Sequence, residues 1–353
     1  VREYRSIQYL RGLAATLVVI FHVGAPLQRL GVATAWPNGL SGGVDIFFII
    51  SGFVMWMTTR ARPIGPLAFW WKRFVRIAPL YWVVTSVMLA ILLIAPTLLR
   101  TSVFNLHHVI ASYAFFPVEN PGKPAMEPLL FPGWTLEYEM FFYLIFGLFL
   151  LAQPRMRLWG TVAVLVTLVV LGWVLAPPRL SVAGFYTADI ILEFGYGLLL
   201  GAATFHFGED RLAPPAVGIA LFLLGTVLLV LMPDSTLPRG FTYGLPALAV
   251  VVGLVAVEGS RGLPDLKLAH ALGNASYSIY LSQLISMAAF LTVWRVLHLD
   301  RLPAAPLLFT IGDVLAALIA GWLCYRLVER PLTRLVGGSL RRRMPETIAA
   351  PTD

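Results

Sequence analysis

The stretch from Tyr9 to Leu30 reads YLRGLAATLVVIFHVGAPLQRL, and its reading decides the fold. It is apolar over the length of a membrane span, yet it carries Arg11 near its start and His22 beyond its middle. On a helix, eleven residues set these two roughly 16 Å apart along the axis and about 20° apart in azimuth. They share one stripe, Arg11 near a membrane surface and His22 well inside. Ionisable groups inside a membrane are costly and by default mark a function. The plainer alternative, an interfacial anchor and a hydrogen-bonded packing residue, explains either residue singly better than it explains the pair.

Outward from this stretch the chain stays apolar. Of 353 residues, 58% are hydrophobic and only 12% charged, about half the charged share of a soluble domain. Mean hydropathy is +0.80. Apolar runs near the length of a span recur throughout, which predicts an all-α integral membrane protein with about ten transmembrane helices in a single bundle. The net charge is +8, but the basic residues fall between the apolar runs. That is the positive-inside pattern, so the charge reports topology, and no nucleic-acid partner is expected. Cys324 is the only cysteine, which excludes an internal disulfide and any cysteine-rich metal site. No metal is expected.

Taken in order, helix 1 starts near Ser6 and leaves through Gly24-Ala25-Pro26, and GVDIFFIISGFVMW forms helix 2 with Asp45 in its first turn. A basic, aromatic stretch follows, broken by Pro63, Pro66 and Pro79, before a third helix over Leu80–Leu98. Residues 105–116 are apolar but short for a span. If they do not cross, 19 Lys and Arg fall on the side of the N-terminus and 7 on the other; if they cross, the split is 13 to 13. The positive-inside rule selects the first arrangement. It gives ten spans, both termini cytoplasmic, and a re-entrant or outward-lying piece at 105–116. Residues 1–335 then form one transmembrane domain. Residues 336–353, with Arg341, Arg342 and Arg343, form a basic cytoplasmic tail expected to be disordered.

In that topology His22, Asp45 and Glu139 all map to the outer half of the membrane. A histidine beside a carboxylate is the arrangement that holds one tautomer and lets imidazole accept a proton. Asp45 is equally well read as a carboxylate favoured by a helix N-terminus. Glu137 and Glu139 lie about 200° apart on a helix, so only one can face a shared site. The inner surface collects Arg11, Lys72, Arg73, Arg76, Arg326 and Arg330. Arg73 and Arg76 become neighbours if that stretch is helical. The cations are read either as topological anchors touching anionic lipid or as a cradle for a polyphosphate cofactor, whose oxygens arginine grips bidentately. Tyr277, Ser278 and Tyr280 either line that cofactor's channel or make interhelical contacts.

RGLAATLVVIFHV, GVDIFFIISGFVM, the Arg73/Arg76 pair, WTLEYEMFFYL, SYSIYLSQL and the closing LVERP together resemble the membrane-bound acyltransferase 3 family. WTLEYEMFFY most resembles its exopolysaccharide-modifying branch. The similarity extends from about residue 5 to 331. It implies transfer of an acyl group, usually acetyl from cytoplasmic acetyl-CoA, to a carbohydrate hydroxyl at or beyond the outer face of a bacterial inner membrane. It also implies that Arg11 and His22 form the family's arginine-x10-histidine motif and Arg73 and Arg76 its paired-arginine motif. Asp45, Ser51 and Glu139 match its other polar positions. Where many relatives read tyrosine-leucine-x-histidine, this chain has Leu281-Ser282-Gln283, so a second histidine base is not expected.

The expectation is therefore an acyl-CoA-dependent O-acyltransferase. His22 is the base, oriented by Asp45 or Glu139, and Arg11, Arg73, Arg76, Tyr277 and Tyr280 hold the donor. Direct transfer and an acyl-His22 intermediate both remain open. The rival reading is a glycan or lipid transporter whose buried charges form a permeation path.

Overall fold

The apolar runs become helices whose ends are set by local chemistry. The computed structural model describes residues 4–32, 36–96, 103–232 and 237–343, with side chains through Val336. In order these are α1 (Arg5–Arg29), α2 (Gly43–Ala61), α3 (Pro66–Ile94), α4 (Leu106–Tyr113), α5 (Gly133–Leu148), α6 (Pro154–Leu175) and α7 (Val182–Tyr186). Then follow α8 (Leu192–Phe207), α9 (Pro215–Leu231), α10 (Arg239–Thr242), α11 (Gly244–Arg261), α12 (Lys267–Val296), α13 (Ala305–Cys324) and α14 (Arg330–Arg343). Proline opens α3, α6 and α9, where its missing N–H has no helical acceptor anyway. Asn105 caps α4 by accepting from His108 N at 3.0 Å, and Ser181 caps α7 by accepting from Gly184 N at 3.0 Å.

Among the described residues, nine helical runs are long and apolar enough to cross a membrane. Helix α9, with 17 residues, is a shorter apolar helix of about 26 Å at 1.5 Å per residue. The chain is thus an all-α integral membrane protein. Loops alternate between two ends. At the end where α1 begins and α13 closes, called proximal here, Glu258 of α11 accepts from Arg5 N at 3.0 Å and Ser6 N at 2.9 Å, which satisfies two orphan donors at the start of α1. At the opposite, distal end, Arg295 of α12 donates to Arg29 O at 2.6 Å.

Two helix boundaries differ from the sequence reading. Helix α1 runs through Gly24 and Pro26 to Arg29, because Pro26 in the last turns costs little helix beyond it. Helix α3 begins at Pro66 and keeps Pro79 inside. A single lost ladder bond is tolerated where neighbouring helices pack around it. That extension makes Arg73 and Arg76 true helical neighbours. Close approach of α2 and α8 rests on two glycines: a Cβ on Gly52 would strike Phe194 O, and one on Gly197 would strike Ile49 O.

The short segment does not cross. Helix α4 has eight residues and dips beside the distal half of α3, where Val109 packs with Leu92 and Leu129. Tyr81 Oη donates to Ser112 O at 3.0 Å and Trp82 Nε1 to Tyr113 O at 2.8 Å. At the other end of the chain, helix α14 carries helical backbone to Arg343, into the stretch read as a tail. Residues 344–353 lie outside the described residues.

Candidate active site

A cavity of about 190 Å³ opens among α1, α2, α3, α5 and α12, lined by Arg11, Ser51, Arg73, Arg76, Glu139, Tyr143, Tyr277 and Tyr280, with apolar Phe47, Phe48 and Leu136. The residues sequence reasoning assigned to donor binding thus meet at one place, and Glu139 joins them. Its carboxylate accepts from Ser51 Oγ at 2.8 Å and from Tyr143 Oη, and the two hydroxyls are 3.1 Å apart. Glu137, on the opposite face of α5, is buried elsewhere, and neither of its oxygens has a partner in the structure.

The three arginines of the cavity are not equivalent. Arg76 forms an ion pair with Glu329, whose other oxygen accepts from Ser278 Oγ at 2.6 Å. Glu329 sits in a π-helical turn, Tyr325–Glu329, between α13 and α14. The wider turn of such a bulge re-aims side chains and is frequent at functional sites. The charge of Arg76 is therefore already compensated. Arg11 and Arg73 form no ion pair with any described residue. Arg73 Nε is buried without a hydrogen-bond partner, and its guanidinium lies 5.8 Å from the Phe69 ring centroid. For Arg11, the carboxylates of Glu139 and Glu329 are within electrostatic reach. The cavity thus holds more guanidinium donors than carboxylate acceptors, which is the electrostatics of an anion site. Tyr277 Oη donates to Ile77 O at 2.7 Å and Tyr280 Oη lies 3.0 Å from Thr135 Oγ1. Both rings line the cavity, and their hydroxyls serve interhelical contacts.

His22 stands apart, toward the distal end. Its Nδ1 lies 2.8 Å from Val18 O. A carbonyl only accepts, so Nδ1 carries the proton and Nε2 is left with its lone pair. Nε2 is buried and has no hydrogen-bond partner. The edges of Phe21 and Phe131 close around the ring, at centroid distances of 5.1 and 6.0 Å.

This corrects the expectation that Asp45 or Glu139 orients His22. Asp45 is fully buried and held by Arg239, whose Nε and Nη2 donate to its two oxygens at 3.0 and 2.6 Å. Glu139 is engaged with Ser51 and Tyr143 beside Arg11. The reason is depth. Gly43, at the start of α2, packs on Ala14 and Val18 of α1, so His22 projects beyond the first turn of α2. A backbone carbonyl from its own helix does the orienting that a carboxylate was expected to do.

Sequence reasoning passed over Glu329, Arg239 and Glu193. Glu329 lies inside the LVERP stretch, and Arg239 falls in a polar loop between apolar runs. Glu193, buried in the ILEFGYG run beside Asp45 and Arg239, carried the usable signal, an acid inside an apolar span.

Fold and site together define a membrane-embedded acyltransferase: residues 4–326 match the acyltransferase domain family, and the chain belongs to it. It is 35% identical to the exopolysaccharide production protein ExoZ of Rhizobium meliloti (strain 1021), over 83% of this chain and 90% of that one. It is 25% identical to the acyltransferase MdmB of Streptomyces mycarofaciens, over 98% of this chain and 95% of that one. No solved structure matches it.

Proposed function

We propose that this acyltransferase moves an acyl group, acetyl in the simplest case, from cytoplasmic acyl-CoA to a carbohydrate hydroxyl at or beyond the outer face of a bacterial inner membrane. The proximal end is then cytoplasmic. The observation that carries the reading is the cavity with Arg11 and Arg73, neither in an ion pair, at one level of α1 and an unprotonated, buried His22 Nε2 about 16 Å further out on the same helix. That separation suits a donor with a phosphate-bearing head and a long arm ending in a thioester. The resemblance of the chain to an exopolysaccharide production protein supports a glycan acceptor.

In this reading His22 Nε2 takes the proton of the acceptor hydroxyl as its oxygen attacks the thioester carbonyl. The new C–O bond forms, the C–S bond breaks, and the imidazolium returns the proton to the departing thiolate. Atoms and charge balance without a further reactant. The test is purified protein in lipid nanodiscs given isotope-labelled acetyl-CoA and an extracted surface glycan. Label on the glycan with matching release of free CoA is expected. Absence of both thioester consumption and acyl-CoA binding would overturn the acyl-CoA reading. Reporter fusions after Arg155 and after Arg211 should both report cytoplasmic, and either one reporting outside would overturn the orientation.

A further inference from the structure

Two buried acceptors lie at one level of the bundle at the distal site. His22 Nε2 is a lone pair, because Nδ1 spends its proton on Val18 O. On α12, the Gln283 side chain is completely buried. Its amide Nε2 donates to Tyr280 O at 3.1 Å, which fixes the flip and leaves Oε1 as a bare acceptor with no partner. The two helices run parallel with a fixed register: Gly12 abuts Leu272 and Gly273, and Arg295 bonds Arg29 O. That register sets His22 level with the turns beginning at Ser282, Gln283 shares the α12 face of Ile279 and Met287, which packs with Val19 and Val23 of α1, and no hydrogen bond joins its amide to the imidazole.

From this pairing, and resting on the assignment of His22 as base, we infer that Gln283 is a positioning residue that acts only on the protonated imidazole. While Nε2 is a lone pair, an acceptor opposite it is useless or mildly repulsive. Once Nε2 has taken the hydroxyl proton, the N–H is shared between the substrate oxygen and Gln283 Oε1, a second acceptor already held in a dry, fixed position. The hydrogen bond exists in the transition state and not in the ground state, which is the condition for an interaction to raise kcat rather than merely tighten binding.

Gln283→Leu removes the acceptor and Gln283→Glu keeps it while losing the amide donor to Tyr280 O. A charge-assisted hydrogen bond is worth a factor of roughly 10 to 150. Gln283→Leu should therefore lower kcat by about that factor with donor KM unchanged, and Gln283→Glu should restore most of it. If the residue merely braces α12 through Tyr280 O, the two variants will fall together, and that result overturns the inference, as does a wild-type kcat in Gln283→Leu. His22→Gln measured alongside separates the two levels. If it keeps full transfer, the base assignment fails and this inference with it. If it is inactive while Gln283→Leu is not, only the inference fails.

Discussion

The two ends of α1 present opposite deficits. Around Arg11 the structure holds more cationic donors than carboxylates: Arg11 and Arg73 lack ion pairs, Arg73 Nε is buried without a partner, and Arg76 is paired with Glu329. Around His22 it holds acceptors without donors: His22 Nε2 and Gln283 Oε1, both buried and both unpartnered. Buried polar groups normally find partners, so each deficit describes the complement it accepts. The first calls for an anion with several oxygens and the second for a group that brings an O–H. A polyphosphate thioester and an alcohol satisfy the two together, on our reading of the function. The difference teaches that charge and chemistry are divided along one helix and are not gathered into a triad.

Substitutions at the two ends should therefore fail in different ways. The largest effect belongs to His22→Gln, which keeps shape and hydrogen bonding but cannot take up the proton. Transfer should drop by about 10²–10⁴-fold, the contribution of a positioned base, with acyl-CoA binding intact. Asp45→Ala tests whether the distal carboxylate is structural. It leaves Arg239 unpaired, which costs about 3–5 kcal/mol for a fully buried pair and less here because Arg239 keeps 31% of its side chain exposed. A lowered thermal midpoint, with transfer retained per folded molecule, is expected; full stability with lost transfer would return Asp45 to the chemistry.

At the proximal end, Arg11→Gln or Arg73→Ala should weaken acyl-CoA binding by roughly 10- to 150-fold, the worth of a lost charge-assisted hydrogen bond. Isothermal titration in nanodiscs reads this directly. Unchanged affinity in the double variant would make these residues lipid anchors. The smallest effect is Ser51→Ala, which removes one of two hydroxyls on Glu139. About 1 kcal/mol is at stake, seen as a modest loss of stability or donor affinity. A complete loss of transfer would mean Ser51 takes part in the reaction.

The spans, the Arg11–His22 stripe and the convergence of arginines were legible because each depends on local spacing or on charge counting. The partners of the carboxylates were not. Asp45 is held by a residue 194 positions away, and nothing near either one signals the match. The depth of Glu139 relative to His22 was not legible because α5 starts inside the bundle: Phe131, just ahead of Gly133, packs on the His22 ring, which sets Glu139 roughly 9 Å further toward the proximal end. The compensation of Arg76 depends on a π-helical turn at Tyr325–Glu329, a backbone choice that apolar periodicity does not encode. Pro79 read as a breaker, and packing in the bundle overrode it.

The division of labour along α1 is tested most directly by measuring donor Kd and single-turnover transfer rate on the same preparations of His22→Gln and Arg73→Ala. The account predicts a clean split: His22→Gln binds acyl-CoA as the wild type does and scarcely transfers, while Arg73→Ala binds weakly and transfers at near wild-type rate once saturated. Loss of donor affinity in His22→Gln, or a transfer rate in Arg73→Ala that stays low at saturation, would contradict it.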